Sequence, residues 1–303
     1  MQTRQEATEL YCIDASIYIF RAYFSMPDSV RDDQGRPVNA VYGFTDFLIK
    51  LIQEVRPAYL AAFFDESLTS SFRNEIYPPY KTNRELPPAD LERQLKLCRR
   101  VSQLMGAGDY AHDRYEADDL IGACMHRHRA KFTRQIVVSS DKDLAQLLGP
   151  GDILWDYARE RRFDPAGITA HFGVPPEHIA DLLALAGDAV DNIPGLPGIG
   201  QKTAAALIQK FGGLETILGR TADVAATKDL RGAARIAETL RDNAELARTC
   251  LKITRIATRL DAPGTSVPAW RDLKYRGPDR AGLKQFFEEE GFGGRLLARL
   301  EKL

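Results

Sequence analysis

Three short acidic clusters carry the clearest chemistry in this 303-residue chain: Glu116, Asp118 and Asp119 in YEADDL, Asp141 and Asp143 in SSDKDL, and Asp188 and Asp191 in GDAVDN. Glu116 and Asp119 stand at i and i+3 where a helical pattern begins, and so share a face. Asp141 and Asp143, two residues apart after an apolar run, can point into one crevice. Asp14 and Asp65 each close a further apolar run, YCI and AAFF. Singly, each group has an ordinary explanation: acids at a helix start favour the positive end of its dipole, Asp141 can cap a helix, and GDAVDN reads as a polar loop. Together the nine carboxylates are too many for one hard cation. They suit a pair of Mg²⁺ ions about 3.5–4 Å apart, with Mn²⁺ as a substitute, and such a pair serves the in-line hydrolysis of a phosphodiester. The five histidines show no metal-ligand spacing.

Two other segments point to a polyanionic substrate. In IPGLPGIGQKTAAALIQKFG, Gly195, Gly198 and Gly200 form a tight turn feeding straight into a helix, with Lys202 in its first turn. This is a helix-hairpin-helix pattern: glycines let the backbone approach a phosphate, and free N–H groups at the helix start can bind it without reading sequence. The stretch SFRNEIYPPYKTNRELPP, holding Arg73, Tyr80, Lys81 and Arg84, is basic and aromatic. Next to a metal site such cations can hold the scissile phosphate and stabilise charge in the transition state; by itself the stretch also reads as a solvated loop.

Positioning these acids requires a particular scaffold. Apolar runs at Leu10–Ile13, Tyr59–Phe64 and Ile136–Ser139 read as buried parallel strands, and the patterns at Gly43–Val55, Ala89–Met105 and Glu116–Lys131 read as helices between them. Strands alternating with helices give an α/β layer with a central, mostly parallel sheet, whose ligand crevice lies beyond the carboxyl ends of the strands, where the acids Asp14, Asp65 and Asp141 fall. From residue 164 the pattern changes to short helices punctuated by Gly and Pro, and a last amphipathic stretch, GLKQFFEEEGFGGRLLARL, is expected to pack back on the body. The expected division is an α/β nuclease domain at 1–163 and a helical DNA-binding region at 164–303.

Composition excludes little but is consistent with this reading. No run reaches the roughly 20 apolar residues a membrane span needs, and the N-terminus lacks a secretory apolar core, so the expectation is a cytoplasmic protein away from membranes. Cys12, Cys98, Cys124 and Cys250 are isolated and read as reduced core residues. The net charge is −1; setting aside the nine acids leaves +8 on the rest of the chain, enough for a basic track around an acidic centre.

The segments YCIDASIYIFRAY, FFDESLTSSFRNEIYPPYKTNR, YEADDLIG, SSDKDLAQLL and GDAVDNIPGLPGIGQKTAAALI, in this order, resemble the 5′ nuclease superfamily, which includes the N-terminal nuclease domain of bacterial DNA polymerase I, phage 5′ exonucleases and flap endonucleases. The resemblance covers nearly the whole chain and implies a PIN/FEN-like fold. It further implies that Asp14, Asp65, Glu116, Asp118 and Asp119 surround a first, catalytic metal, and that Asp141, Asp143, Asp188 and Asp191 hold a second. The resemblance also implies an arch over the active site, at about 69–95 in the α/β domain. Arg21 and Tyr23 match family residues near the substrate path, and Lys81 and Arg84 match cations of that arch. The hairpin resembles one that binds K⁺ in some members. GDAVDN departs from relatives with serines between the two aspartates, which touches hydrogen bonding around the metal rather than the acids. The implied activity is 5′-3′ exonuclease and flap endonuclease cleavage of DNA at a 5′ flap, nick or free 5′ end, in replication and repair, by a monomer. No polymerase is expected to follow, since few residues remain after the hairpin.

Three alternatives stand beside this reading. A small PIN-type ribonuclease would leave the hairpin and the length unexplained. A ribonuclease of the same superfamily would remove RNA primers. A catalytically weak branched-DNA-binding protein would be expected to lack some of the acids, whereas here all nine are present.

Overall fold

The computed structural model describes residues 8–66, 70–265, 267–301 and 303. The first strand, β1 (Glu9–Asp14), is buried on both faces and runs directly into helix α1 (Ala15–Ser25). Helix α2 (Asn39–Val55) ends at Arg56, whose left-handed backbone (φ 44°) turns the chain into Pro57 and strand β2 (Tyr59–Asp65). Then come α3 (Phe72–Ile76), α4 (Ala89–Leu104), β3 (Tyr110–His112), α5 (Ala117–His128), β4 (Arg134–Val138), β5 (Ile153–Asp156) and β6 (Arg161–Phe163).

The sheet order is β3-β2-β1-β4-β5-β6; every neighbouring pair is parallel except β5 and β6. The three apolar runs read from sequence form the centre of this sheet. Its outer strands β3 and β6 are three residues long and part-exposed, too short to show a period. Pairing of Ile13 with both Ala62 and Val138 brings β1, β2 and β4 out at one edge.

The second region contains α6 (Pro165–Phe172), α7 (Ile179–Ala186), α8 (Gln201–Phe211), α9 (Leu214–Gly219), α10 (Thr221–Ala225), α11 (Ala233–Asp242) and α12 (Ala244–Thr254). Asp164 caps α6 by accepting from the Gly167 N–H at 2.7 Å, with Pro165 at its first position. One face of the sheet, with Leu10, Cys12, Phe63 and Val137, shares a continuous core with α5, α7, α8 and α12. The other face packs on α1, α2 and α4, and on the final helices α13 (Arg280–Glu289) and α14 (Gly294–Leu300), through Leu283, Phe287 and Leu296. The C-terminal amphipathic stretch therefore does pack back, as two helices broken at Gly291 and Gly293, both with positive φ. The four cysteines are free and buried. Among the described residues no helix is long and apolar enough to cross a membrane.

The hairpin loop between α7 and α8 depends on glycine for packing at Gly187 and, most tightly, at Gly195. Gly195 has φ 61°, and a Cβ there would lie 2.3 Å from the Gly187 nitrogen and 2.5 Å from the Ala186 carbonyl carbon. Gly195→Ala should therefore destabilise the protein by about 2–4 kcal/mol, combining left-handed strain with overpacking against rigid backbone. Gly198→Ala, with open space before it, should cost only the strain, about 1–2 kcal/mol. Equal melting temperatures for the two variants would contradict this account of the loop.

Candidate metal-dependent active site

The parallel strands deliver their terminal acids to one edge, and hydrogen bonds then set each carboxylate. Asp14, 5% exposed at the end of β1, accepts from the Ser139 hydroxyl at 2.7 Å, just beyond β4. The same hydroxyl accepts from the Asp141 N–H at 3.0 Å, and Asp141 accepts from the Asp143 N–H at 2.9 Å. At the end of β2 the Asp65 N–H donates to the Ser16 hydroxyl, and its carboxylate accepts from the Ala117 N–H, both at 2.9 Å. That contact docks the start of α5 on the sheet edge and carries Glu116 and Asp118 with it. The loop after α7 closes through paired Asp188 and Ile193 backbone bonds of 2.9 and 2.8 Å and presents Asp188 and Asp191 from the opposite side.

Negative charge is concentrated here without enough compensation. Burial, then the neighbouring Asp65, pushes the Asp14 carboxyl up to about 7, against the Ser139 hydrogen bond. Burial also lifts Asp118 well above the ordinary carboxylate range, with Asp141, Asp14 and Asp65 adding to it. Asp141 and Asp143 are raised too, chiefly by burial, and Asp143 is further raised by Asp141 and Asp191. One Asp143 oxygen is buried with no hydrogen-bond partner. An orphaned acceptor among crowded carboxylates fits a site for hard divalent cations, which take oxygen donors. Among the described residues, no three of these side chains already stand as a closed ligand set in their present positions.

Cations occupy some of the remaining oxygens. Lys81, held in a left-handed backbone conformation (φ 55°), places its Nζ 2.8 Å from Glu116 Oε2 and 3.8 Å from Asp191. Burial alone would raise the Glu116 pKa, but Lys81 and Arg73 outweigh it and hold the group at about 2. Arg84 pairs with Asp191, and Lys142 lies 2.6 Å from Asp188. The segment carrying Lys81 is itself fastened to the acidic loop: the Lys81 N–H donates to Asp191 O, Asn83 donates to Ala189 O, and Asn192 donates to Pro79 O. Residue 69, where the expected arch begins, lies outside the described residues; 70–95 form α3, a run of turns and the start of α4.

Four sequence expectations are corrected. Asp119 is fully buried and turned away from the crevice. It binds the Arg73 guanidinium through both oxygens at 2.6 and 2.8 Å and also accepts from the Glu116 and Ala257 N–H groups. All its acceptor capacity nearest the protein is spent, so it does not belong with the metal acids. Arg73, 3% exposed and also donating to Ile253 O, cannot face DNA. Tyr80 is likewise buried, its hydroxyl 3.1 Å from Glu116, and supports that carboxylate rather than a substrate. Gly195 is buried inside the hairpin, whereas Gly198, Gly200 and Lys202 are exposed on it. Arg21 is exposed on α1, and the Tyr23 hydroxyl is 3.2 Å from Asp90.

The sequence reading missed Lys142, Ser139 and Ser16, although Lys142 stands between the two acids of SSDKDL and its sign alone could have marked it as their counter-charge. Beside Asp65, a crevice of about 330 Å³ opens between α1 and α4, lined by Phe20, Leu86, Leu95, Lys96 and Arg99.

A crevice of carboxylates at the ends of parallel strands, with a helix-hairpin-helix alongside, defines a class of metal-dependent nucleases. Residues 9–173 match the family model of the 5′-3′ exonuclease N-terminal resolvase-like domain, and residues 174–281 match that of its C-terminal SAM fold. The chain belongs to the 5′-3′ exonuclease family. It is 33% identical to a 5′-3′ exonuclease of Aquifex aeolicus, over 92% of this chain and 91% of that protein. It is 35% identical to DNA polymerase I of Rhizobium leguminosarum over 84% of this chain, which spans 25% of the length of that relative. The bacteriophage T5 flap endonuclease, in a complex with DNA and metal ions, shares the fold with a TM-score of 0.67 at 21% identity, over 82% of this chain and 90% of that one.

Proposed function

We propose that this chain hydrolyses DNA phosphodiester bonds at 5′ flaps, nicks and free 5′ ends, acting as a monomeric cytoplasmic enzyme with two Mg²⁺ ions, for which Mn²⁺ can substitute. The observation carrying the proposal is the crowding of Asp14, Asp65, Asp118, Asp141 and Asp143 at one sheet edge, where burial and neighbouring carboxylates raise the pKa of Asp14, Asp118, Asp141 and Asp143, with Asp188 and Asp191 on the adjoining loop. Asp14, Asp65, Glu116 and Asp118 are assigned to a first ion, and Asp141, Asp143, Asp188 and Asp191 to a second. When bound, such a pair lowers the pKa of its water and neutralises the phosphate as charge develops.

The chain's own residues do the rest. Lys81 and Arg84, now on Glu116 and Asp191, are placed to exchange a carboxylate for a phosphate oxygen once divalent charge satisfies the acids. Ser139 fixes the Asp14 carboxylate against rotation, and Ser16 holds the Asp65 backbone at the end of β2. Gly198, Gly200 and Lys202 hold duplex backbone at the start of α8, with a K⁺ ion in the hairpin turn, and Arg21 and Tyr23 line the approach along α1.

Polarity of cleavage tests the proposal. With Mg²⁺, a duplex bearing a 5′ flap should be cut to short 5′ products, while the same duplex with a 3′ flap stays intact. Release of nucleotides from the 3′ flap, or equal cutting of both, would overturn it.

A further inference from the structure

Beside α3, and lined by none of the nine acids, lies a groove of about 620 Å³ that the proposed active site does not use. Its floor is apolar: Phe72 and Ile76 of α3 face Leu251 and Ile256, and Ile76 is 38% exposed, one of few large apolar side chains so open. Its wall is basic. Arg248, Lys252 and Arg255 recur at i, i+4 and i+7 along and just past α12, so they share one face, and Arg259 follows in the strap beyond it. Arg248 is taken up by Glu215 and Glu245. Lys252, Arg255 and Arg259 are exposed and form no ion pair among the described residues. Three uncompensated cations in one groove stand out in a chain whose net charge is −1.

We infer that this groove binds single-stranded nucleic acid, its phosphates on Lys252, Arg255 and Arg259 and its bases against Phe72 and Ile76. Single strands are held by a cationic track beside apolar or aromatic faces on which unpaired bases can lie. A duplex, with its bases stacked inside, would use the cations and leave the floor without a partner. Position gives the groove a purpose under the nuclease reading, on which this inference rests. Helix α3 is its inner wall, and Tyr80 and Lys81 follow four and five residues after that helix at the carboxylates. A strand seated here lies against the helix whose next residues lead to the carboxylates, and engages the enzyme before or after cutting.

The test compares binding of two DNAs in EDTA, so that no cleavage intervenes: a blunt duplex and the same duplex extended by a 5′ single strand. The wild type should bind the extended DNA more tightly. The triple variant Lys252→Gln/Arg255→Gln/Arg259→Gln should lose about tenfold of that gain, and its salt slope on the extended DNA should flatten by about 2, from three phosphate contacts at about 0.7 each. Ile76→Ala should lose a few-fold of the gain, consistent with loss of base contact, and leave the slope unchanged. A gain undiminished in the triple variant overturns the inference. So does an equal loss on blunt duplex, which would assign the cations to duplex backbone. Because binding is read without metal, an intact gain in a protein that never cuts DNA would sink the nuclease reading alone, and cutting without any such gain would sink the groove alone.

Discussion

Asp118→Asn should abolish cleavage, by more than about 10²-fold, and at the same time make the metal-free protein more stable, by about 1–3 kcal/mol or a few degrees in Tm. The two effects have one cause. Asp118 is destabilised in its charged form by burial and by Asp141, Asp14 and Asp65, and its amide would carry none of that repulsion. A group retained at a cost to folding is one whose charge is needed for something else, here the binding of cations. The same reasoning fixes a pH dependence. Carboxyls whose folded pKa is raised bind protons more tightly in the folded state, so metal-free stability should fall as pH rises from about 4, the ordinary carboxylate value, to about 7, where Asp14 titrates. Glu116, depressed to about 2, acts in the opposite sense only at lower pH and does not mask this window. Divalent cation should flatten the slope. Thermal melts of both proteins from pH 4 to pH 7, with and without Mg²⁺, check all of this; an Asp118→Asn protein that melts below wild type without metal would contradict it.

Asp119→Asn, one residue along, should do the reverse. Among the described residues its carboxylate is the only one that hydrogen-bonds the buried Arg73 guanidinium, through both oxygens, and removing its charge leaves that cation with the Ile253 and Arg255 carbonyls and the more distant Glu116 at 3.7 Å. Breaking one partner of a buried pair costs about 3–5 kcal/mol, so a Tm loss of many degrees is expected. The pair joins three pieces of chain: α3, the start of α5, and the strap after α12 through Ala257. Loosening it should also loosen the crevice around Glu116, so residual activity should fall more steeply with temperature than in wild type. Unchanged melting would show that Asp119 is not the structural anchor its hydrogen bonds describe.

The contrast between these neighbours marks where sequence reasoning stopped. Both stand in YEADDL; spacing puts Asp119 on a face with Glu116, but does not say which of the two acids opens to the crevice. What separates them is the partner, Arg73, which lies 46 residues earlier and is brought over by the packing of α3 on α12. Arg73 reads from sequence as a DNA contact for the same reason: a charged residue in a basic stretch gives no sign of burial until its counter-charge is located in space. Local signals were more legible. The strands β1, β2 and β4 could be read from buried apolar runs, and their terminal acids from the rule that ligands gather beyond the carboxyl ends of parallel strands. The hairpin showed in its glycines, though Gly195 serves close backbone packing inside the loop while Gly198 and Gly200 face outward. Helix α1 was hidden because ASIYIFRAYFS is apolar on most of its circumference and shows little periodicity between the sheet and α2.

The most direct test of the account is cleavage of a 5′-labelled flap duplex by wild type with Mg²⁺, by wild type with EDTA, and by Asp143→Ala with Mg²⁺. Asp143 carries the buried oxygen without a hydrogen-bond partner, so its removal takes a cation ligand and no structural bond from that atom. Short 5′ products from wild type with Mg²⁺, and from neither of the other two, is the predicted result. Cleavage that persists in EDTA or in Asp143→Ala, or DNA binding with no cleavage under any of the three conditions, would contradict the claim that these carboxylates form a metal-dependent active site.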